Sequence, residues 1–228
     1  MNYNPLIVAL DVETSAEALR LVDRLDRSVD FYKAGLELFA AEGPGIVRQL
    51  VGRGKNVFVD LKMYDIGETV KRAAARIAAL DARFLTVHAS PQVIRAAVEG
   101  ARGSDLKILA VTVLTSFDQS DLEDLGYHGR TVTQQVEHSV RKGLEAGAHG
   151  FVCSPLEVCR VRSLAGPDSI LVTPGVRSAG ADRSGQKRIA TPAEAIAAGA
   201  GYLVIGRQIT RASDPAGAAR GILAEIGR

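Results

Sequence analysis

The chain has 228 residues, the size of one large domain or two small ones. Hydrophobic residues make up 46% and charged residues 24%, a globular balance that excludes a disordered chain and needs no disulfide or metal staple. Lys and Arg number 28 against 26 Asp and Glu, and a net charge of +2 is too small to be a footprint for nucleic acid or a membrane surface.

Before Asp11 lies a short apolar stretch without the basic flank or cleavage site of a signal peptide, and no apolar run approaches the roughly 18 residues of a membrane span. The first strand reads LIVALD from Leu6. Thr14-x-x-Glu17 then opens a helix whose Ala18, Leu21, Val22 and Leu25 share a face. Further strands begin at Phe31 (FYKAG), Val57 (VFVDLK) and Phe84 (FLTVHA), the last followed by a helix start at Ser90-Pro91. The fifth strand reads KILAVTVL from Lys107 and the sixth GFVCS from Gly150. Ser154-Pro155-Leu156-Glu157 has the hydroxyl, proline and glutamate of a capped helix start. The seventh strand is ILVTPG from Ile170, Thr191-Pro192-Ala193-Glu194 repeats the capping signature, and YLVIG from Tyr202 precedes Asp214-Pro215. Cys153 and Cys159 have no partner ligands nearby in sequence and fit a reducing cytoplasm, which is the expected location.

Several of the eight strands are nearly continuous apolar runs, as strands covered on both faces should be. Strand–helix alternation repeated eight times without a linker predicts an α/β chain folded as one (β/α)8 TIM barrel over residues 1–228. The long steps after strands five and seven imply insertions. A doubly wound open sheet is the other topology compatible with the alternation, which does not by itself show closure.

In such a barrel the catalytic groups lie at the carboxyl ends of the strands. Asp11, Lys33, Asp60, Lys62, His88, Thr115, Ser116, Arg177 and Arg207 all fall there. Any one of them alone would be a cap or a surface group; their recurrence points to a site. Asp60 and Lys62, two apart on a strand, share a face, and buried charges persist only when paired, so an alternating network with Lys33 is expected. An ion cluster that merely closes the barrel top is the bland alternative. Asp65 lies past the strand, where Asp65-x-x-Glu68 resembles a capping box. The last strand runs into Gly206-Arg207, and a glycine, a guanidinium and a following helix amino terminus suit a phosphate, over which the Gly/Ser/Arg-rich segment from Arg177 to Arg188 would fold. His88, His128, His138 and His149 show no metal spacing; His138 and His149 read as helix-surface or helix-end residues and His128 as part of the loop after strand five. No G-x-S-x-G, P-loop or G-x-G-x-x-G is present.

Taken in order, IVALD at Asp11, YKAGLELF at Lys33, DLKMYDIGETV from Asp60, VTVLTS at Thr115-Ser116, TPGVR at Arg177 and VIGRQIT at Arg207 resemble orotidine 5′-phosphate decarboxylase of the bacterial type, from Leu6 to about Pro215. The resemblance implies a homodimeric barrel with shared active sites that converts the small molecule orotidine 5′-monophosphate to uridine 5′-monophosphate and CO2, using no metal or organic cofactor. It implies that Lys62 donates the proton to C6, that Asp60 lies beside the substrate carboxylate, and that Lys33 links this pair to the ribose. Asp65 would cross to the neighbouring subunit's site with Ile66 and Thr69. Asp11 would contact the ribose, Thr115 and Ser116 the pyrimidine, and Arg177, Gln186, Gly206 and Arg207 the phosphate and its lid. Tyr64 and Gly67 stand where the family string D-L-K-x-H-D-I-P-x-T has His and Pro, and Gly67 is expected to loosen the turn presenting Asp65. Two other functions compete. Sister enzymes acting on sugar phosphates share D-x-K-x-x-D but use Mg2+ and typically carry a glutamate at the Lys33 position, where an ammonium repels a metal. A non-catalytic nucleotide binder would have little use for so costly a charge network.

Overall fold

The structure is a computed structural model that describes residues 4–179 and 189–228. Strands β1 (Leu6–Ala9), β2 (Phe31–Gly35), β3 (Asn56–Met63), β4 (Phe84–His88), β5 (Lys107–Val111), β6 (Gly150–Val152), β7 (Ile170–Thr173) and β8 (Tyr202–Ile205) pair in sequence order, all parallel. β8 returns to β1 through Leu6 opposite Leu203 and Val8 opposite Ile205. The sheet therefore closes into a barrel, and the open-sheet alternative falls away.

The helices between the strands are α1 (Ser15–Leu25), α2 (Leu36–Glu42), α3 (Pro44–Gly52), α4 (Gly67–Ala78), α5 (Pro91–Gly100), α6 (Gln119–Asp124), α7 (Val132–Glu145), α8 (Val158–Ala165), α9 (Pro192–Ala197), α10 (Arg207–Thr210) and α11 (Pro215–Glu225). None is long and apolar enough among the described residues to cross a membrane. The long step after β5 holds α6 as well as α7. Thr14 caps α1 by accepting the Glu17 N–H, Thr191 and Glu194 form a full capping box on α9, and Asp214 accepts from Gly217 at the head of α11. Ser154 differs from expectation. Its hydroxyl accepts the Leu156 N–H in an isolated turn, and α8 begins only at Val158. Strand five also stops early, at Val111, and the Thr112 N–H and hydroxyl that follow both donate to the Val152 carbonyl.

Alternation along the strands builds two cores. Leu6, Val8 and Leu10, with Tyr32, Val57, Val59, Leu85 and their counterparts, pack outward under the helices. Ile7, Ala9, Phe31, Phe58, Phe84, Leu109, Val152, Val172 and Val204 fill the barrel. Phe31, Phe84 and Tyr202 form an aromatic floor with ring centroids 5.0 to 5.5 Å apart.

Candidate active site

The next inward position beyond that floor is polar. Two residues after Phe31, Phe58 and Phe84 come Lys33, Asp60 and Thr86, so the period of two that fills the barrel with rings below sets charges and a hydroxyl above them. A cavity of about 300 Å³ opens there, lined by Asp11, Lys33, Phe58, Asp60, Lys62, Thr115, Ser116, Cys153, Arg177, Gly206 and Arg207 among others. Nine residues expected at the strand ends or loops for substrate thus surround one space.

The charges form a chain. Lys33 Nζ donates to Asp11 Oδ1 at 2.8 Å and lies 3.8 Å from Asp60 Oδ2, while Lys62 Nζ meets both Asp60 oxygens at 2.9 Å. The Lys33 and Asp60 side chains are only 11% and 12% exposed, so the pairing is what makes their ionisation tolerable. Burial pushes the Asp60 carboxyl up, but the Lys33 and Lys62 ammonium groups, helped by hydrogen bonds from Lys62 and Thr86, hold it below the usual carboxylate value. Thr86 donates to Asp60 Oδ1 at 2.8 Å. Gly35 makes room for this cluster, because a Cβ there would lie 2.7 Å from Lys33 Nζ and 3.2 Å from Asp11 Oδ1.

Asp60 and Lys62 do meet, though not through a regular pleat. The pairing of β3 with β4 jumps from Val59–Leu85 to Met63–Val87, so four residues on β3 span two on β4 and the strand bulges at the charged pair.

The opposite wall belongs to the last two strands. Arg177 follows β7, and Gly206 leads straight into α10, the helix that adjoins the cavity. The sequence pointed instead to the helix at Asp214-Pro215, but that amino terminus is occupied by the Asp214 carboxylate. Gly206 has φ −109°, and an added Cβ would make only ordinary contacts with Ala9 and Asp11. The protein's own packing therefore does not demand glycine at this position. Ser178 and Gln208 tie the two arginine-bearing segments together. The Ser178 N–H donates to Gln208 Oε1, Gln208 Nε2 donates to the Ser178 hydroxyl, and that hydroxyl donates to Glu225.

Asp65 and Ile66 are exposed and do not line this cavity, and Thr69 is half-buried on the first turn of α4. The expected capping box is absent. Ile66 is the N-cap of α4, Asp65 Oδ1 accepts the Ile66 N–H, and Glu68 lies 3.7 Å from Arg72. Gly67 occupies the first helical position, where proline is equally at home, without a positive φ. Tyr64 stands 72% exposed with its ring edge-on to His88 at 5.7 Å. Burial, with Lys62 nearby, lowers the His88 pKa, so the imidazole is a neutral neighbour of the charged chain. His149 sits just before β6, where its Nδ1 accepts the Ile108 N–H, and His128 lies in the loop between α6 and α7. Gln186 lies outside the described residues. No group of three or more His, Cys, Asp or Glu among the described residues is placed to hold a metal ion.

Thr86, Gly35, Ser178 and Gln208 were not singled out from the sequence. A threonine inside an apolar strand two residues beyond an inward phenylalanine is a signal, but only once that strand is known to adjoin the one carrying Asp60.

Residues 4–222 match the family model described as the orotidine 5′-phosphate decarboxylase / HUMPS family. The orotidine 5′-phosphate decarboxylase of Rhodopseudomonas palustris strain HaA2 is 54% identical over 97% of this chain and 94% of its own. That of Afipia carboxidovorans is 53% identical with the same coverage. Among solved structures, orotidine 5′-phosphate decarboxylase from Lactobacillus acidophilus superposes with a TM-score of 0.87 at 36% identity, covering 99% of this chain and 100% of that one.

Proposed function

The chain belongs to the orotidine 5′-phosphate decarboxylase / HUMPS family, and from that membership and the charge pattern of the cavity we propose that it decarboxylates orotidine 5′-monophosphate to uridine 5′-monophosphate and CO2, the last step of de novo UMP synthesis in pyrimidine biosynthesis. The observation that carries this reading is the chain Asp11–Lys33–Asp60–Lys62 set over an aromatic floor and facing two arginines across one cavity.

Loss of CO2 leaves an electron pair at C6 of the pyrimidine, which fixed positive charge must stabilise. Lys62 supplies that charge and then gives its proton to C6, so the C–C bond is replaced by a C–H bond with no change of oxidation state in the protein. Asp60 pairs with the Lys62 ammonium and orients it, and Lys33 balances Asp60 and reaches toward the ribose with Asp11. Thr115 and Ser116 face the base, while Arg177, Gln186, Gly206 and Arg207 hold the phosphate. That distant anion supplies binding energy for orienting the reacting ring. The Lys33 ammonium stands between Asp11 and Asp60 and would repel a cation there, which favours chemistry without a metal.

A second copy of the chain completes the site. Asp65, Ile66 and Thr69 lie away from their own cavity, and Tyr64, Ile66 and Leu36 are large apolar side chains left 66–72% exposed near the ends of β2 and β3. The whole of residues 1–228 serves as the catalytic domain, and its two free cysteines suit the cytoplasm.

The test is the loss of the orotate chromophore when the protein meets orotidine 5′-monophosphate in excess EDTA. Rapid bleaching is expected. Bleaching only after Mg2+ is restored would assign the chain to metal-dependent chemistry, and a folded protein that binds uridine 5′-monophosphate without turnover would make it a binder.

A further inference from the structure

Among the described residues, three other than glycine have a positive φ: Asp26, Lys62 and Asp81. Asp26 ends α1 and Asp81 lies in the turn after α4, so both are short polar side chains at the ends of elements. Lys62 is different. It sits inside β3 with φ +47°, on the bulged stretch, and it is the residue proposed to deliver the proton. A left-handed lysine within a strand persists only if its surroundings fix it.

One hydroxyl does so. Lys62 N–H leaves the ladder and donates to Thr86 Oγ1 at 3.0 Å, and the same oxygen donates its proton to Asp60 Oδ1 at 2.8 Å. Asp60 in turn accepts from Lys62 Nζ through both oxygens. The circuit thus leaves Lys62 by its backbone and returns to its own ammonium. Thr86 is fully buried, and its backbone is held in register opposite Leu109 on β5, so the hydroxyl is a fixed point. A threonine hydroxyl has one proton to give, and the carboxylate on one side and the N–H on the other leave only one way to orient it.

We propose that Thr86 is a positioning residue for the reaction, holding Lys62 in its left-handed bulge and Asp60 in line with it so that the ammonium is presented to the reacting carbon. This inference rests on the function proposed above. Thr86 touches no substrate in this scheme; it acts through Lys62 and Asp60.

Thr86→Val keeps the shape and removes both hydrogen bonds. It is expected to lower kcat by about 100-fold, the scale of an ångström-sized misplacement, with KM changed less than about threefold. Thr86→Ser restores the hydroxyl and should recover kcat to within about fivefold. If Thr86→Val does not fold, Thr86→Ala removes the same hydroxyl with less crowding and takes its place. A hydroxyl-free variant with undiminished kcat and only a lower melting temperature would overturn the proposal, as would a serine variant as slow as the valine one. A crystal structure of the hydroxyl-free variant separates this from failure of the proposed function. Even for a chain inactive on orotidine 5′-monophosphate, Lys62 should leave φ near +47° or its ammonium should part from Asp60, and an unchanged Lys62 sinks the idea.

Discussion

Lys62 at the carboxyl end of the barrel and Arg162 at the amino end are both partly sheltered cations, yet they are held by different partners. Arg162, on α8, directs its guanidinium at backbone carbonyls: Gly199 from Nε and Nη2, and Gly166, Pro167 and Ser169 from Nη1. These belong to the loops that lead into β7 and β8, so one side chain fastens two turns at the bottom of the barrel. Lys55 does similar work under β2, donating to the Asp26 and Val29 carbonyls beneath the Tyr32 ring. At the top, cations are matched to carboxylates, and the Asp11–Lys33–Asp60–Lys62 chain opens on a cavity instead of being sealed by loops. Neutral acceptors satisfy a cation and leave it inert. A partly open ion chain leaves charged groups accessible from the cavity, and that is the physical difference between the two ends.

The largest effect that would sharpen this contrast is on turnover. Lys62→Ala should lower kcat by at least about 10³-fold, combining lost charge and lost proton donor, while affinity for uridine 5′-monophosphate by calorimetry stays within about threefold. Equal loss of both would make Lys62 as structural as Arg162. The shared-site reading adds a companion experiment. Lys62→Ala and Asp65→Ala homodimers should each be nearly inactive and should regain activity when mixed and allowed to exchange subunits; a mixture that stays dead after exchange would confine the site to one chain. Arg162→Ala should do the reverse of Lys62→Ala. Stranding several half-sheltered carbonyls should cost about 2–4 kcal/mol in urea unfolding, with kcat at low temperature within about twofold of normal.

Gly35→Ala should have a smaller effect at the top. The added methyl meets the flexible end of Lys33, so stability should shift by no more than about 0.5 kcal/mol, yet the displaced ammonium should lower kcat/KM by about tenfold. The smallest effect is on acid stability. Because the folded Asp60 holds its proton less tightly than an unfolded aspartate does, its ionised form stabilises the fold fully above the unfolded value near pH 4, and this contribution is lost as pH falls through the lower folded value. The gap between wild-type and Asp60→Asn urea midpoints should stay constant from pH 7 to about 5 and change in the direction of lost wild-type advantage below about 4. A gap independent of pH would mean that the two lysines do not favour the carboxylate.

Much of this architecture is legible in the sequence. Eight apolar runs, the Thr191–Glu194 box and Asp214-Pro215 are local signals, and they mark elements that the structure contains. The strand-end residues were legible because a parallel barrel puts every strand's carboxyl end on one face. Other features were misread for equally local reasons. Ser154-Pro155 looks like a helix start but caps a lone turn, and Asp65-x-x-Glu68 looks like a capping box although α4 starts two residues past Asp65. Asp60 and Lys62 were expected together through regular alternation, whereas a bulge and a left-handed lysine bring them together.

The alternation of strands and helices, the burial of both strand faces, and the charged types at the strand ends are all written in the residues themselves. These follow from composition, periodicity and capping chemistry within a few residues. Tertiary packing was needed to see that β8 closes on β1, that the helix adjoining the cavity is α10 and not α11, and that Thr86 and Gly35 belong to the charge chain. Each of these depends on which strand lies beside which, and on sub-ångström room around an ammonium, quantities that no local pattern of residues encodes.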